Sequence, residues 1–233
     1  MLTKSALPTV LLALTAMGAD GIATKAQSYP PGFPREGATK ILENDRVVVW
    51  DATWHKGKPT PLHEHTVDYL SVTLVQGTVK VIERDGTSNS ASVPLGFVRF
   101  NPRGIVHVEE GISDQERRAI MVELKDTAVR PAPIPDDLPG MFPRDGATQL
   151  IDNQRVTVWD ATWTPARRIG PYHQHRAALI VFLRGGIIRL EERGTVTAVR
   201  RAFGEVVYAP AGSDVRSEEA RDGGVRAVFI ELK

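Results

Sequence analysis

The sequence predicts an all-β protein made of two tandem antiparallel barrels or sandwiches, and three observations carry that expectation. First, the chain repeats itself at a nearly constant offset. Phe33-Pro-Arg-Glu-Gly-Ala-Thr39 returns as Phe142-Pro-Arg-Asp-Gly-Ala-Thr148, and Val49-Trp-Asp-Ala-Thr-Trp54 returns as Val158-Trp-Asp-Ala-Thr-Trp163, both 109 residues on; Val122-Glu-Leu-Lys125 returns 108 residues on as Ile230-Glu-Leu-Lys233. An offset held over so long a span marks duplicated domains, whereas a solenoid would repeat every 20–50 residues or so. Second, apolar and β-branched residues run with a period of 2 through Arg46–Trp50, Leu70–Val75, Val79–Glu83 and Ala119–Leu124. Third, turn pairs such as Gln76-Gly77 and Asp85-Gly86 break these runs, and no long helical pattern follows residue 26.

Taken in order, residues 1–26 read as an address. Met1-Leu-Thr-Lys4 supplies a positive charge, Ala6 to Ala19 is mostly apolar, and Thr24-Lys25-Ala26 places small residues at −3 and −1 of a cleavage site. These are the three regions of a secretory signal peptide. The apolar run is shorter than the roughly 20 residues of a spanning helix. A buried N-terminal helix is the competing reading, and the proline-rich stretch Gln27 to Pro34 that follows disfavours it. Cleavage after Ala26 puts the mature protein in a periplasm or outside the cell, with no membrane span. The first copy occupies residues 27–126 and the second 142–233. Between them, residues 127–141 carry Pro131, Pro133, Pro135 and Pro139, the composition of a stiff extended linker. Copies of this size bury a modest core, so the two are expected to pack together, and association into homo-oligomers stays open. Trp50, Trp54, Trp159 and Trp163 recur with the repeat and read as core packing.

Composition narrows the function classes. Lys+Arg 29 against Asp+Glu 28 gives a net charge of +1, without the basic block that nucleic-acid binding requires. With no cysteine, thiolate ligands and thiol nucleophiles are excluded, and any metal must be held by nitrogen and oxygen.

Five of the six histidines fall into one arrangement written twice. His63 and His65 form a His-x-His pair, and His107 closes a Gly-x5-Pro-x-Gly-x2-His run from Gly96. The second half repeats the pair as His173 and His175 and the frame as Gly204, Pro210 and Gly212, with Val215 where the third histidine would stand. On a strand, His-x-His sends both imidazoles to one face. If that face is the barrel interior, His63, His65 and His107 converge as three nitrogen ligands with a position left open, the arrangement of a catalytic metal. Three polar residues in a metal-free pocket is the alternative.

These residues resemble the cupin superfamily, specifically a two-domain bicupin. That family's first motif, G-x5-H-x-H-x3–4-E-x6-G, is met by Gly57, His63, His65 and Gly77. Its second, G-x5-P-x-G-x2-H-x3-N, is met by Gly96, Pro102, Gly104 and His107. The resemblance implies two tandem jelly-roll β-barrels joined by the proline-rich segment. Its glutamate falls at Tyr69 or Leu70 and its asparagine at Gly111, so both motifs depart from the family at one position.

Without the glutamate, three neutral imidazoles leave a divalent ion (Fe, Mn, Ni or Zn) uncompensated, which favours an anionic substrate. Tyr69 points inward by parity, as a pocket wall, hydrogen-bond donor or substrate contact, while Asp68 and Glu64 point away. His55 reads either as a general base at the barrel mouth or as a solvated loop histidine. Arg99 and Tyr208 are placed as pocket-lining residues. In the second copy His173 and His175 are expected to converge like their counterparts but, lacking a third nitrogen, to leave that barrel without metal, serving packing or a non-metal ligand pocket. Two functions stay open. One is a secreted metal-dependent enzyme of dioxygenase, decarboxylase or isomerase type acting on a small anionic organic molecule. The other is a secreted binding module that holds a small ligand or metal without turnover.

Overall fold

The computed structural model describes residues 28–127, 132–133, 137–165, 167–192, 194–221 and 223–233. The proposed signal peptide, and residues 128–131 and 134–136 of the proline-rich segment, lie outside them. Among the described residues every regular element is a strand. The first half contains β1 (Ala38–Glu43), β2 (Val47–Trp54), β3 (His63–Glu64), β4 (Tyr69–Val75), β5 (Thr78–Glu83), β6 (Ser88–Ser92), β7 (Val98–Asn101), β8 (Val106–Gly111) and β9 (Arg117–Leu124). The second half follows the same plan with β10 (Ala147–Asp152), β11 (Val156–Trp163), β12 (Tyr172–Gln174), β13 (Ala178–Arg184), β14 (Gly186–Glu192), β15 (Thr195–Arg201), β16 (Val206–Ala209), β17 (Ser213–Ala220) and β18 (Val225–Leu232).

Each half folds into a five-stranded and a four-stranded antiparallel sheet facing one another. The orders are β1-β2-β9-β4-β7 with β3-β8-β5-β6, and β10-β11-β18-β13-β16 with β12-β17-β14-β15. All four runs read from the sequence as strands are strands, at β2, β4, β5 and β9.

Alternation along the five-stranded sheets explains why these runs are apolar on both faces. In β4, Leu70, Val72 and Leu74 point outward while Tyr69, Ser71 and Thr73 are buried on the barrel side. The outward set joins Val49, Ile120 and Val122, together with Val158, Leu179, Val181 and Ile230 of the second barrel, in one buried cluster between the barrels. That shared core is the expected remedy for small domains. It also gives a role to the first glycine of each Gly-x5-Pro-x-Gly frame. A Cβ on Gly96 would lie 2.7 Å from Leu183 Cδ1 of the other barrel, and one on Gly204 would lie 3.2 Å from Leu74 Cδ1. Both glycines also hold φ near +80°, at 81° and 78°, a backbone region that side chains disfavour.

The tryptophans are buried as the repeat suggests, but they also carry polar contacts. Trp50 donates its indole N–H to Glu123 at 2.7 Å and Trp159 donates to Glu231 at 2.9 Å. Trp54 and Trp163 form cavity walls as well as core.

Candidate metal centre

Three local features bring the first-half histidines together. β3 pairs with β8 so that His63 lies directly opposite His107, which puts both rings on the same face. His65 lies just beyond β3, where its N–H donates to the Ile105 carbonyl at 3.0 Å and its carbonyl accepts from Gly104 N–H at 2.7 Å. The extended lead-in runs along the other edge of β3, with Glu64 N–H on the Pro30 carbonyl and Gly32 N–H on the Glu64 carbonyl. A Cβ on Gly32 would stand 2.8 Å from His65 Cε1 and 3.0 Å from His63 Cδ2. Residue 32 is therefore glycine because the two rings pack against its backbone.

All three rings are buried, at 4%, 3% and 5% exposure. His63 Nε2 lies 3.2 Å from His65 Nε2, which lies 3.3 Å from His107 Nε2. His63 Nδ1 is 2.9 Å from the Pro61 carbonyl, an acceptor only, so the proton sits on Nδ1 and Nε2 offers its lone pair. Burial lowers the His65 pKa to about 3 against the pull of Glu109, with His63 and His107 lowering it further. Burial lowers His107 too. Burial thus favours the neutral form of His65 and His107, and the nitrogens of the three rings converge. Ligands about 2.0–2.1 Å from a tetrahedral ion stand about 3.3 Å apart, so the two short nitrogen separations fit a divalent metal. Among the described residues these three side chains are the group whose ligand atoms gather this closely, within 4.8 Å of one another.

Tyr69 lies where the resemblance places glutamate, and Leu70 belongs to the core between the barrels. The Tyr69 ring stacks on His65 with centroids 3.9 Å apart. Burial pushes its hydroxyl well above the usual phenol range, and Glu109 adds to the effect. It is a neutral phenol on the wall of the site, able to donate a hydrogen bond.

The structure supplies a carboxylate that the sequence reading missed. Glu109 follows His107 by two residues in β8 and therefore shares its face. Its Oε1 is 3.9 Å from His107 Nε2, and its Oε2 accepts the Trp54 indole N–H at 2.8 Å. Burial works against its ionisation, but His107, the Trp54 N–H and Arg35 together hold its pKa below the ordinary value. The motif's glutamate is absent at Tyr69, and Glu109 brings an acidic group to the site from β8 instead. The signal was available, since the period of 2 that pairs His63 with His65 pairs His107 with Glu109.

A cavity of about 200 Å3 opens on His107 and Glu109, with Tyr69, Ser71, Asn101 and Arg117 in its wall and Arg99 at its exposed mouth. Burial lowers the Arg117 pKa against the pull of Glu109, and its guanidinium lies 4.9 Å over the Trp54 ring. A second cavity of about 410 Å3 meets His63 and the proline-rich lead-in, with Arg35 and His55 in its lining. His55 is 42% exposed in its side chain and pairs with Glu116 at 3.0 Å. Of its two readings, the solvated loop histidine is the one this position favours. Asp68 is turned away as parity requires, accepting from the Arg103 backbone N–H at 3.0 Å.

In the second barrel two expectations fail. The residue pair matching His63 and His107 is Tyr172 opposite Val215, whereas His173 lies opposite Asp214. Gly140 bridges to His173 as Pro31 bridges to Glu64, so His173 is the counterpart of the outward-facing Glu64. The His-x-His pair is displaced by one residue, and one residue reverses the face. His173 and His175 therefore do not converge in the barrel; Tyr172, Gln174 and Val215 line it instead. His173 Nδ1 meets exposed Asp214 at 2.6 Å. Tyr208, also expected in a pocket wall, packs on the core between the barrels, and its neighbours Val207 and Ala209 face the cavity.

No protein-family model matches the chain, and no curated protein matches it. Solved structures do. A cupin 2 conserved barrel domain protein from Leptotrichia buccalis is similar at a TM-score of 0.54 and 14% identity, covering 84% of this chain and 88% of that one. The oxalate decarboxylase of Lactobacillus farciminis, solved as a formate complex, is similar at 0.57 and 11%, covering 82% and 78%. Oxalate decarboxylase of Bacillus subtilis, described with Mn(II) centres, is similar at 0.56 and 11%, covering 84% and 75%.

Proposed function

Because the chain carries the cupin-superfamily jelly roll twice, we propose that it is an exported, metal-dependent enzyme whose one reaction centre lies in the first barrel and whose substrate is a small organic anion. The observation that carries this reading is the convergence of three imidazole nitrogens beside a cavity that also presents Arg117, Arg99 and Glu109. His63, His65 and His107 would hold the ion, which supplies Lewis-acid or oxygen-activating chemistry when bound. Arg117 and Arg99 attract and orient the substrate carboxylate. Tyr69 keeps its proton and donates a hydrogen bond, and Glu109, steadied by the Trp54 N–H, is placed to accept or return a proton at Oε1.

A cavity of about 200 Å3 restricts the substrate to a few heavy atoms beyond one or two carboxylates. Carboxylate cleavage and oxygen-dependent cleavage both suit such a site. The likeness to oxalate decarboxylases supports the first at the level of the fold, although one fold hosts many reactions. The test is turnover. Purified protein loaded with Mn or Fe should release carbon dioxide from, or consume oxygen with, some member of a panel of dicarboxylates, keto acids and small aromatic acids. His107→Ala should abolish that turnover, and Arg117→Met should raise KM by about tenfold or more, as loss of a charge-assisted pair implies.

A second reading is a binding module. It is favoured by the hydrogen bond that ties Glu109 Oε2 to the Trp54 N–H, which fixes the carboxylate in the wall. Saturable calorimetric binding of panel members with no turnover on any of them would establish this reading and sink the enzyme. Export is tested separately, by the N-terminal residue of the protein recovered from a periplasmic or culture fraction; an N-terminus at Gln27 is expected.

A further inference from the structure

We propose that the first-barrel cavity takes a hydroxy acid, whose carboxylate lies on Arg117 and Arg99 and whose hydroxyl donates to Glu83. This deepens the reading of that cavity as a site for a small organic anion, and it rests on that reading. The wall of the cavity divides by sheet. Arg99 on β7 and Arg117 on β9 come from the five-stranded sheet, whereas Glu83 on β5 and Glu109 on β8 come from the four-stranded sheet that also carries His63 and His107. Cations and carboxylates thus face one another across a cavity of about 200 Å3.

Backbone geometry sets Glu83 in place. It ends β5 directly opposite His107 on β8, so the two side chains share a face. The turn at Asp85-Gly86 fixes this strand end, with Glu83 N–H on the Thr87 carbonyl at 2.8 Å and Gly86 N–H on the Glu83 carbonyl at 2.9 Å. Burial lowers the His107 pKa and raises that of Tyr69, and the Glu83 charge is felt at both rings. Glu109 is held by the Trp54 N–H, but among the described residues the Glu83 carboxylate accepts no side-chain hydrogen bond and enters no ion pair. The arginines are its complement. The Arg117 guanidinium lies 4.9 Å over the Trp54 ring, and neither it nor Arg99 pairs with a carboxylate among the described residues. Glu83 and Arg117 are half-buried and Arg99 is exposed, so an occupant of the cavity can reach all three. Unmet charges of both signs in one cavity call for an occupant that accepts at one end and donates at the other. Charge chooses the donor. The two arginines offset the two glutamates, so a divalent ion on the histidines leaves the cavity cationic. A hydroxy acid brings one more negative charge to it than an amino acid of the same skeleton.

The experiment is calorimetric titration of the zinc-loaded protein, since zinc is redox-inert and leaves the probes unoxidised. Two matched sets serve as probes: lactate, propionate and alanine, then malate, succinate and aspartate, with both enantiomers of each chiral acid. Within a set the molecules differ only in carrying hydroxyl, hydrogen or ammonium at one carbon. The hydroxy acid should bind about tenfold or more tightly than its hydrogen counterpart, as a hydrogen bond to a charged group implies, and more tightly than the amino acid. Glu83→Met should erase that advantage while the protein keeps its metal. Glu83→Gln, which retains an acceptor, should preserve part of it and serves if the first variant folds poorly. An advantage undiminished in Glu83→Met would place the hydroxyl on the ion and overturn the proposal. Equal affinity for hydroxy acid and hydrogen counterpart in the parent, or preference for the amino acid, would overturn it too. Should no member of either set bind the zinc-loaded protein, the small-anion reading itself falls, and the inference with it.

Discussion

The two barrels share strand order, sheet pairing and a common core, yet the corresponding ends of β3 and β12 present different chemistry. Barrel one turns His63, His65 and His107 inward, and barrel two turns Tyr172, Gln174 and Val215 inward from the matching positions. Both halves contain a His-x-His pair and differ in where it falls relative to the pleat. Because side chains alternate, a displacement of one residue removes two ligands at once, and the Val215 substitution then takes the third. Barrel two is therefore further from a metal site than a single missing histidine implies. Its cavity wall is mostly apolar, with Glu192, Arg201 and Glu218 among its residues, where barrel one presents Arg99, Arg117, Glu83 and Glu109 beside the histidines.

The largest effect that could break this comparison is the creation of a second site. Val215→His alone should leave metal content unchanged, since His173 and His175 face away from the cavity. The triple variant Tyr172→His/Gln174→His/Val215→His should bind a second equivalent, measured by elemental analysis after dialysis. A gain in the single variant would show that the face assignment is wrong.

A smaller effect sharpens the role of the lead-in. Gly32→Ala pushes on both His63 and His65, and should weaken metal binding by about 10–100-fold, the range typical of groups that orient metal ligands. Gly140→Ala in barrel two faces His175, with its nearest ring atom at 3.3 Å, and should leave metal binding untouched. Competition with a coloured chelator measures both.

The smallest effect concerns what the barrels have in common. Burial raises the carboxyl pKa of both Glu123 and Glu231, each bonded to its tryptophan. A raised folded value means that the folded state keeps the proton longer. The stability this gives is complete below the unfolded value of about 4.3 and is lost as pH rises through the folded value. Glu231→Gln and Glu123→Gln should therefore each raise Tm at pH 7 by about 2 °C, and leave it nearly unchanged at pH 4. Thermal melts at the two pH values check the sign.

How far the sequence discloses this molecule follows from the range of each interaction. The duplication, the strands and the three first-half histidines depend on spacing along the chain, and spacing is visible. The Gly-x5-Pro-x-Gly-x2-His run was enough to bring His107 opposite His63. The second pair misled because its offset from the first is 110 residues, whereas the flanking Phe33 and Trp54 repeat at 109, and pattern matching tolerates a slip that pleating does not. Glu109 is legible by parity from His107, although the motif itself places its acid at Tyr69 or Leu70, on a different strand. Arg117, Arg35 and Arg144 were not legible. Their roles depend on which aromatic ring or carboxylate a long side chain reaches across the barrel, and no local pattern encodes that. Tyr208 and Val207 differ by one residue, and only the strand register decides which of them faces the cavity.

The most direct test of the inequality between the barrels is metal stoichiometry in three proteins purified alike: the parent, His107→Ala, and His173→Ala/His175→Ala. The account predicts about one equivalent in the parent, none in His107→Ala, and an undiminished equivalent in the barrel-two double variant. Retention of metal by His107→Ala, or its loss from the double variant, would contradict it.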